Sequence, residues 1–332
     1  MLLQFQDAIQ YDEARLLDPT RDRAIALDRW LLESIGDLWS ELKWSWGVSS
    51  LDRCPPRSLW AFFLAATEVV RIVTKAEVEL TAKRDALVAL VGCVPRKFES
   101  IALPNRGGWI ELPRDHRTIR ADLRTVAHPA IQGVSLAGFG ENELPSDTAK
   151  TLSAALQLIS DSCPVNMDLV ATFCGALCYL KATPGLANGG CVSLTSKLIP
   201  GLVYLTPVPI ILTAESIVHE SAHLCLTCRE RTSELYLDTE CRFRTPLRPD
   251  PRPVSGLLHQ VWVLLHLVHL YDKLLQNRSS VVARNEEKVR NRRRLHSEGL
   301  EQGLAVLNGA RSALTKDGVE LFSRLSNAAV AL

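Results

Sequence analysis

The sequence predicts a mainly helical protein with a small β insertion. Three features lead to this fold class. Residues 23–46 place apolar residues about 3.6 positions apart, as an amphipathic helix does. Two shorter stretches in the middle alternate around turn residues, as short strands do. The chain has 332 residues, 47% of them hydrophobic, which suffices for one large domain or two ordinary ones.

The N-terminal part, residues 1–92, is predicted to be a helical region. Apolar side chains within residues 23–46 fall on one helical face, namely Leu27, Trp30, Leu31, Ile35, Leu38 and Leu42. Residues 93–332 are predicted to form the second part of the chain. The two parts could pack together as one domain, because no long low-complexity linker separates them.

The β insertion is predicted from two turn-centred patterns. Residues 98–103 and 109–112 flank the turn sequence Pro-Asn-Arg-Gly-Gly at 104–108. Residues 192–205 are predicted to form two short strands around Pro200-Gly201, after a loop at 185–190. A helix is expected between the two patterns, over residues 147–159.

The C-terminal half is predicted to be helical over residues 215–229, 255–275, 281–307 and 318–331. Residues 244–253 contain four prolines and three arginines without periodicity, so we expect a structured loop there. Pro253 lies where a proline favours the start of the following helix.

Charge and cysteine content exclude some function classes. The net charge of +1 gives no overall field toward nucleic acid or a membrane, and neither is expected as a partner. The basic run at 290–294 is preceded by Glu286 and Glu287 at helical pairing distance, which favours a solvated helix face. The N-terminus lacks the features of a secretory signal, so the nine cysteines are expected to be free thiols in the cytoplasm. No oligomeric state is predicted.

The sequence His-Glu-Ser-Ala-His at residues 219–223 is the chemically most informative motif. Helical spacing places His219 and His223 on one face, where two imidazoles can bind the same ion. Glu220 lies beside them and can reach a metal-bound water or a ligating imidazole. The sequence therefore predicts a helical body that carries a metal site between two core helices.

A third protein ligand is needed, and several residues are candidates. Leu226 and Arg229 stand where a metzincin would have glycine and histidine, which excludes that class. A thermolysin-like site would take a downstream glutamate, and a different arrangement would take a histidine of the next helix. The candidates are Glu234, Glu240, His259, His266 and His269. His259 is favoured among the histidines because it lies in the first turns of its helix, while His266 and His269 are expected to be packed or surface residues.

A second motif follows the first and gives the pair its specificity. Residues 251–259 have the pattern Pro-Arg-Pro-x-x-Gly-x-x-His. Together with the first motif, this resembles the HExxH motif-containing peptide modification family, over roughly residues 193–321. The resemblance implies an iron(II)- and 2-oxoglutarate-dependent oxygenase that hydroxylates a β-carbon in a ribosomally made precursor peptide. It also implies that His219, His223 and His259 are the iron ligands.

The co-substrate implied by the resemblance requires a cation for its distal carboxylate. Arginine binds a carboxylate through two parallel hydrogen bonds. Arg248 and Arg252 are the best candidates and Arg244 is the third. Leu247 departs from the family pattern, in which an aromatic residue often precedes the arginine.

Two other functions compete with the oxygenase. In a zinc metallopeptidase, Glu220 would be the general base that activates a zinc-bound water. In an oxygenase no such base is required, and Glu220 would orient a ligand or solvent. The third possibility is a non-catalytic helical protein that binds peptides.

Overall fold

The computed structural model describes residues 98–105, 109–113, 146–179, 193–195, 202–206, 209–237, 241–245 and 248–332. The predicted helical region at 1–92 and the predicted loop at 185–190 lie outside the described residues. Within the described part, the protein is mainly helical with a small sheet, as the sequence predicts.

Five short strands form a mixed sheet. They are β1 (Phe98–Ala102), β2 (Trp109–Pro113), β3 (Ala176–Tyr179), β4 (Ser193–Thr195) and β5 (Leu202–Leu205), in the spatial order β1-β2-β3-β5-β4. The pairs β1–β2 and β4–β5 are antiparallel, which confirms the strands predicted on either side of each turn sequence. Strand β3 runs parallel to both β2 and β5, and the sequence did not predict it.

Seven α-helices account for most of the described residues. They are α1 (Ser146–Ser162), α2 (Pro164–Phe173), α3 (Ile210–Thr232), α4 (Val254–Asn277), α5 (Ser280–Ala283), α6 (Glu286–Gly309) and α7 (Lys316–Val330). Helices α1, α3, α4 and α7 confirm predictions, although α3 begins at Ile210 rather than at residue 215. The single helix expected over 281–307 is divided by a turn at Arg284 and Asn285. Helix α2 was not predicted.

Helix α4 lies at the centre of the helical body. It packs against α1, α3, α6 and α7, and nearly all of its apolar side chains are buried. It is also long and apolar enough to cross a membrane by length and composition, with a mean hydropathy of 1.3. However, 78% of its apolar window is buried inside the protein, which is what a core helix requires.

The proline-rich segment before α4 differs from the prediction. Instead of a loop, it forms a two-stranded antiparallel sheet from β6 (Phe243–Thr245) and β7 (Arg248–Arg252). Two prolines lie within β7, at positions 249 and 251. Each strand of a two-stranded sheet has an open edge where a missing N–H group is tolerated, so these prolines do not prevent pairing.

The basic run on α6 is only partly the solvated face that we expected. Arg290 pairs with Glu286 on the surface, as the spacing predicts. Arg292 instead reaches Glu215 of α3, and Arg293 pairs with Asp272 of α4 at 2.9 Å. The run therefore joins α6 to its two neighbouring helices.

Candidate metal centre

The histidine row consists of His219, His223 and His259. Helices α3 and α4 run antiparallel, because residue 215 contacts residue 271 while residue 223 contacts residue 259. This places the first turns of α4 beside the second half of α3. Nε2 of His219 lies 3.2 Å from Nε2 of His223, and Nδ1 of His223 lies 2.9 Å from Nδ1 of His259. The three histidines are thus neighbours in space.

The separation between His219 and His223 fits a shared ion. Two nitrogens that each bind one metal at about 2.1 Å lie roughly 3.0–3.4 Å apart for bond angles near 90–109°. However, His223 presents Nε2 to His219 and Nδ1 to His259. Accordingly, no group of three His, Cys, Asp or Glu side chains in the described part of the chain is arranged to hold a metal ion. For all three imidazoles to bind one ion, the ring of His223 would have to turn.

Glu220 is held beneath the histidine row by the sheet. Its side chain accepts hydrogen bonds from the hydroxyl groups of Ser193, at 2.8 Å, and Thr195, both on β4. Oε1 of Glu220 lies 3.8 Å from Nε2 of His219. Burial raises the pKa of Glu220 to about 7, although the two hydroxyl groups partly oppose the rise. The antiparallel strand at the end of the sheet therefore fixes the carboxyl group next to the first histidine.

Glu230 is a site residue that the sequence analysis missed. It lies on α3, and its Oε1 is 2.8 Å from Nε2 of His259. Tyr236, just beyond the end of α3, hydrogen-bonds to Glu230. A signal was present in the sequence, since residues 219, 223 and 230 follow the i, i+4, i+11 spacing of one helical stripe. The H-E-x-x-H motif instead suggested Glu234 and Glu240 as candidates for the third metal ligand.

The other candidates for a third ligand lie elsewhere. Glu234 is exposed, and Glu240 is outside the described residues. His266 and His269 are buried deeper along α4, and Nδ1 of His266 lies 3.0 Å from Oδ1 of Asn166. Burial lowers the pKa of His266 to about 3 and that of His269 to about 4, so both rings are neutral at physiological pH. They are packed core histidines, as expected.

The three candidate arginines occupy different environments. Arg244 on β6 is exposed, and the side chain of Arg248 on β7 lies outside the described part. Arg252 packs against the first turn of α4, where a Cβ added to Gly256 would lie 3.2 Å from the Cβ of Arg252. The glycine of the second motif therefore leaves room for the side chain of Arg252 against the first turn of α4.

The guanidinium group of Arg252 is not fully paired. Its Nε lies 3.3 Å from Oδ2 of Asp250, an ion-pair distance. Yet Nε is buried and, among the described residues, has no hydrogen-bond acceptor in good geometry. Since a buried donor usually has a partner, Nε of Arg252 has hydrogen-bonding capacity that its contact with Asp250 does not use.

A second polar cluster lies one turn before the motif on the same helix. The Glu215 cluster consists of Glu215 on α3, Tyr271 on α4, and Arg292 and His296 on α6. Glu215 accepts hydrogen bonds from the Tyr271 hydroxyl and from Arg292, whose Nε is 2.9 Å away. Nε2 of His296 lies 3.4 Å from Oε1 of Glu215. His296 and Arg292 hold the pKa of Glu215 down at about 2 despite its burial.

No family model matches the chain, and no curated protein sequence matches it either. The functional interpretation therefore depends on the two motifs and on the geometry of the site.

Proposed function

We propose that the protein is an iron(II)- and 2-oxoglutarate-dependent oxygenase that hydroxylates a β-carbon in a ribosomally made precursor peptide. The observation that carries the proposal is the contact of His219, His223 and His259 in one row between α3 and α4. Two separated motifs contribute to that row, as the resemblance to the peptide modification family requires.

The histidine row would hold the metal. His219 and His223 already have the separation of two ligands of one ion, and His259 contacts His223 from the neighbouring helix. The side chain of His219 is 37% exposed, so a peptide can approach this end of the row from solvent. When bound, iron(II) would activate dioxygen as the oxidant, with one oxygen atom entering the C–H bond and the other entering succinate as 2-oxoglutarate loses CO2.

Arg252 would bind the distal carboxylate of 2-oxoglutarate. Its packing against Gly256 and its incompletely paired Nε support this role. A charge-assisted pair with a carboxylate would satisfy that donor. We expect Arg252→Ala to raise the KM for 2-oxoglutarate with a smaller effect on kcat. Arg244→Ala, which changes an exposed arginine of the same hairpin and the third candidate for this role, shows whether the effect is specific to Arg252.

The function is tested by anaerobic loading with Fe(II), followed by addition of 2-oxoglutarate, oxygen and a precursor peptide encoded near the gene. The expected result is oxygen-dependent turnover of 2-oxoglutarate and a peptide heavier by one oxygen atom. Absence of both, in protein that has bound Fe(II), would overturn the proposal.

A zinc metallopeptidase is the second candidate, and the position of Glu220 favours it. A general base must lie close to the metal-bound water and have a pKa near the working pH. Glu220 is 3.8 Å from His219 and has a pKa of about 7. Glu220→Gln separates the two functions. A peptidase would lose about 10²–10⁴-fold in kcat, whereas an oxygenase would keep most of its hydroxylation rate.

A further inference from the structure

We infer that Glu230, supported by Tyr236, is the positioning residue that sets the proton arrangement of His259 for a divalent cation. The contact of Glu230 with Nε2 of His259 is short, at 2.8 Å, and both side chains are largely buried. Neither motif includes Glu230. This inference deepens the proposed function, and its metal-binding consequence rests on that function.

The first step is the chemistry of the contact. A carboxylate accepts hydrogen bonds and cannot donate them, so the contact with Glu230 requires a proton on Nε2 of His259. In a neutral imidazole, the lone pair is then on Nδ1. That atom faces His223 at 2.9 Å. Glu230 therefore directs the lone pair of His259 toward the rest of the histidine row.

The proton position on His259 also affects His223, the next ring of the row. Because Nδ1 of His259 accepts, Nδ1 of His223 must donate, and the lone pair of His223 is then on Nε2. Nε2 of His223 lies 3.2 Å from Nε2 of His219. Glu230 at the buried end thus sets the tautomer of neutral His259 in the metal-free protein, and the contact with His223 passes this effect to the next ring.

Tyr236 holds Glu230 in position. Tyr236 hydrogen-bonds to Glu230, and burial together with this carboxylate raises the pKa of the Tyr236 hydroxyl. The hydroxyl therefore stays protonated and can donate. Tyr236 is itself fixed by an antiparallel bridge to Leu314, which follows α6.

Ligating histidines commonly donate their second N–H to a carboxylate, and loss of that partner typically costs about 10–100-fold in metal affinity.

The first test measures the tautomer without metal. The full-length protein is labelled with ¹⁵N-histidine and observed by NMR at about pH 8, where neutral imidazoles dominate. The His259 signals are assigned with His259→Gln. We expect the Nε2–H form in the wild type and in Glu230→Gln, whose amide oxygen still accepts. We expect a mixture of both forms in Glu230→Leu. A wild-type ring protonated on Nδ1 would overturn the inference.

The second test measures the affinity for Co²⁺ alone by equilibrium titration. Glu230→Leu is expected to bind about 10–100-fold more weakly than the wild type, and Tyr236→Phe is expected to show a smaller loss. Glu230→Gln should recover much of the affinity. Glu234→Leu, the same change at an exposed glutamate, is the control and should bind normally. If Glu230→Leu does not fold, Tyr236→Phe and Glu230→Gln still carry the test.

The outcomes separate this inference from the proposed function. If the wild type binds no Co²⁺ but the His259 tautomer depends on Glu230, the metal function fails and the positioning role stands. If Co²⁺ binding depends on His259 and is unchanged in Glu230→Leu, the metal function stands and the positioning role is wrong.

Discussion

One stripe of α3 carries two polar clusters that use buried charge in different ways. At the Glu215 cluster, a carboxylate faces an arginine, a histidine and a tyrosine hydroxyl, so its charge is balanced within the protein. At the histidine row, His223 contacts the rings of His219 and His259. One carboxylate lies at each end, with Glu230 at 2.8 Å from Nε2 of His259 and Glu220 at 3.8 Å from Nε2 of His219. The row brings together imidazole nitrogens, which are common metal ligands, while the Glu215 cluster is suited to join helices.

The position of the two clusters explains why both are needed. The Glu215 cluster lies near the start of α3, and the histidine row lies farther along the same helix. Arg292 and His296 bring α6 to the first cluster. The first cluster therefore fixes the spacing of the helices that hold the second. Substitutions in the Glu215 cluster should therefore lower stability, and substitutions in the histidine row should lower metal affinity.

The largest expected effect on stability comes from Glu215→Ala. This change leaves the Arg292 charge and the Tyr271 hydroxyl without their partner. Breaking a buried ion pair typically costs about 3–5 kcal/mol, and we expect the lower end because the side chain of Arg292 is 37% exposed. The free energy of unfolding, measured by urea denaturation, should fall by about 3 kcal/mol. A change below about 1 kcal/mol would contradict a structural role for this cluster.

The second prediction concerns His223→Ala, which removes the middle ring of the histidine row. We expect the Co²⁺ affinity to fall by more than about 100-fold, beyond the usual effect of losing a partner outside the ligand set. The control is His296→Gln in the Glu215 cluster, which should lower stability and leave the Co²⁺ affinity unchanged. Equal losses of affinity in both variants would mean that the clusters cannot be separated.

The third prediction concerns acid stability and involves a different pair of histidines on α4. His266 and His269 have folded-state pKa values of about 3 and about 4, below the unfolded value of 6.5. Between these values the unfolded chain binds more protons, so stability is present above pH 6.5 and is lost as the pH falls. Each histidine should cost about 2 kcal/mol at about pH 5.

Variant His266→Gln checks the acid prediction, because glutamine does not titrate and can still donate to Asn166. Between about pH 7.5 and 5, it should lose about 2 kcal/mol less stability than the wild type in urea denaturation. Parallel losses in the two proteins would show that His266 is not buried as a neutral ring. The Glu215 contribution should be lost only at lower pH, from 4.5 toward about 2, since its folded pKa is depressed.

The smallest expected effect is that of Glu286→Ala, the surface counterpart of Glu215→Ala. The Glu286–Arg290 pair on α6 is more than half exposed on both sides. An exposed i,i+4 pair and a first-turn acidic residue each contribute a fraction of a kcal/mol. The free energy of unfolding should therefore change by less than about 1 kcal/mol. A loss as large as that of Glu215→Ala would remove the contrast between a buried and an exposed pair.

The sequence could predict those parts of the molecule in which local pattern and structure agree. Turn residues located both antiparallel strand pairs of the sheet, and helices were predicted where α1, α3, α4 and α7 lie. The H-E-x-x-H spacing placed His219 and His223 on one helical face. These are features for which the neighbouring residues in the chain already determine the geometry. By contrast, His259, 36 positions from His223, was implied as their partner only by the family resemblance.

What the sequence did not predict depends on contacts between distant segments. The proline-rich segment was expected to be a loop because prolines are rare in strands, yet pairing with β6 makes it a strand. Arg292 was assigned to the surface because its partner, Glu215, lies on another helix. Glu230 was overlooked because its partner, His259, is 29 positions away. Within-helix spacing alone does not reveal such pairs.

The most direct test of the account is an anaerobic Co²⁺ titration of wild-type protein and of His259→Ala, followed by absorption spectroscopy. The account predicts that the wild type binds one ion per chain, and that His259→Ala loses most of the affinity and changes the spectrum. An unchanged affinity and spectrum in His259→Ala, or no binding by the wild type, would contradict the claim that the histidine row holds a metal ion.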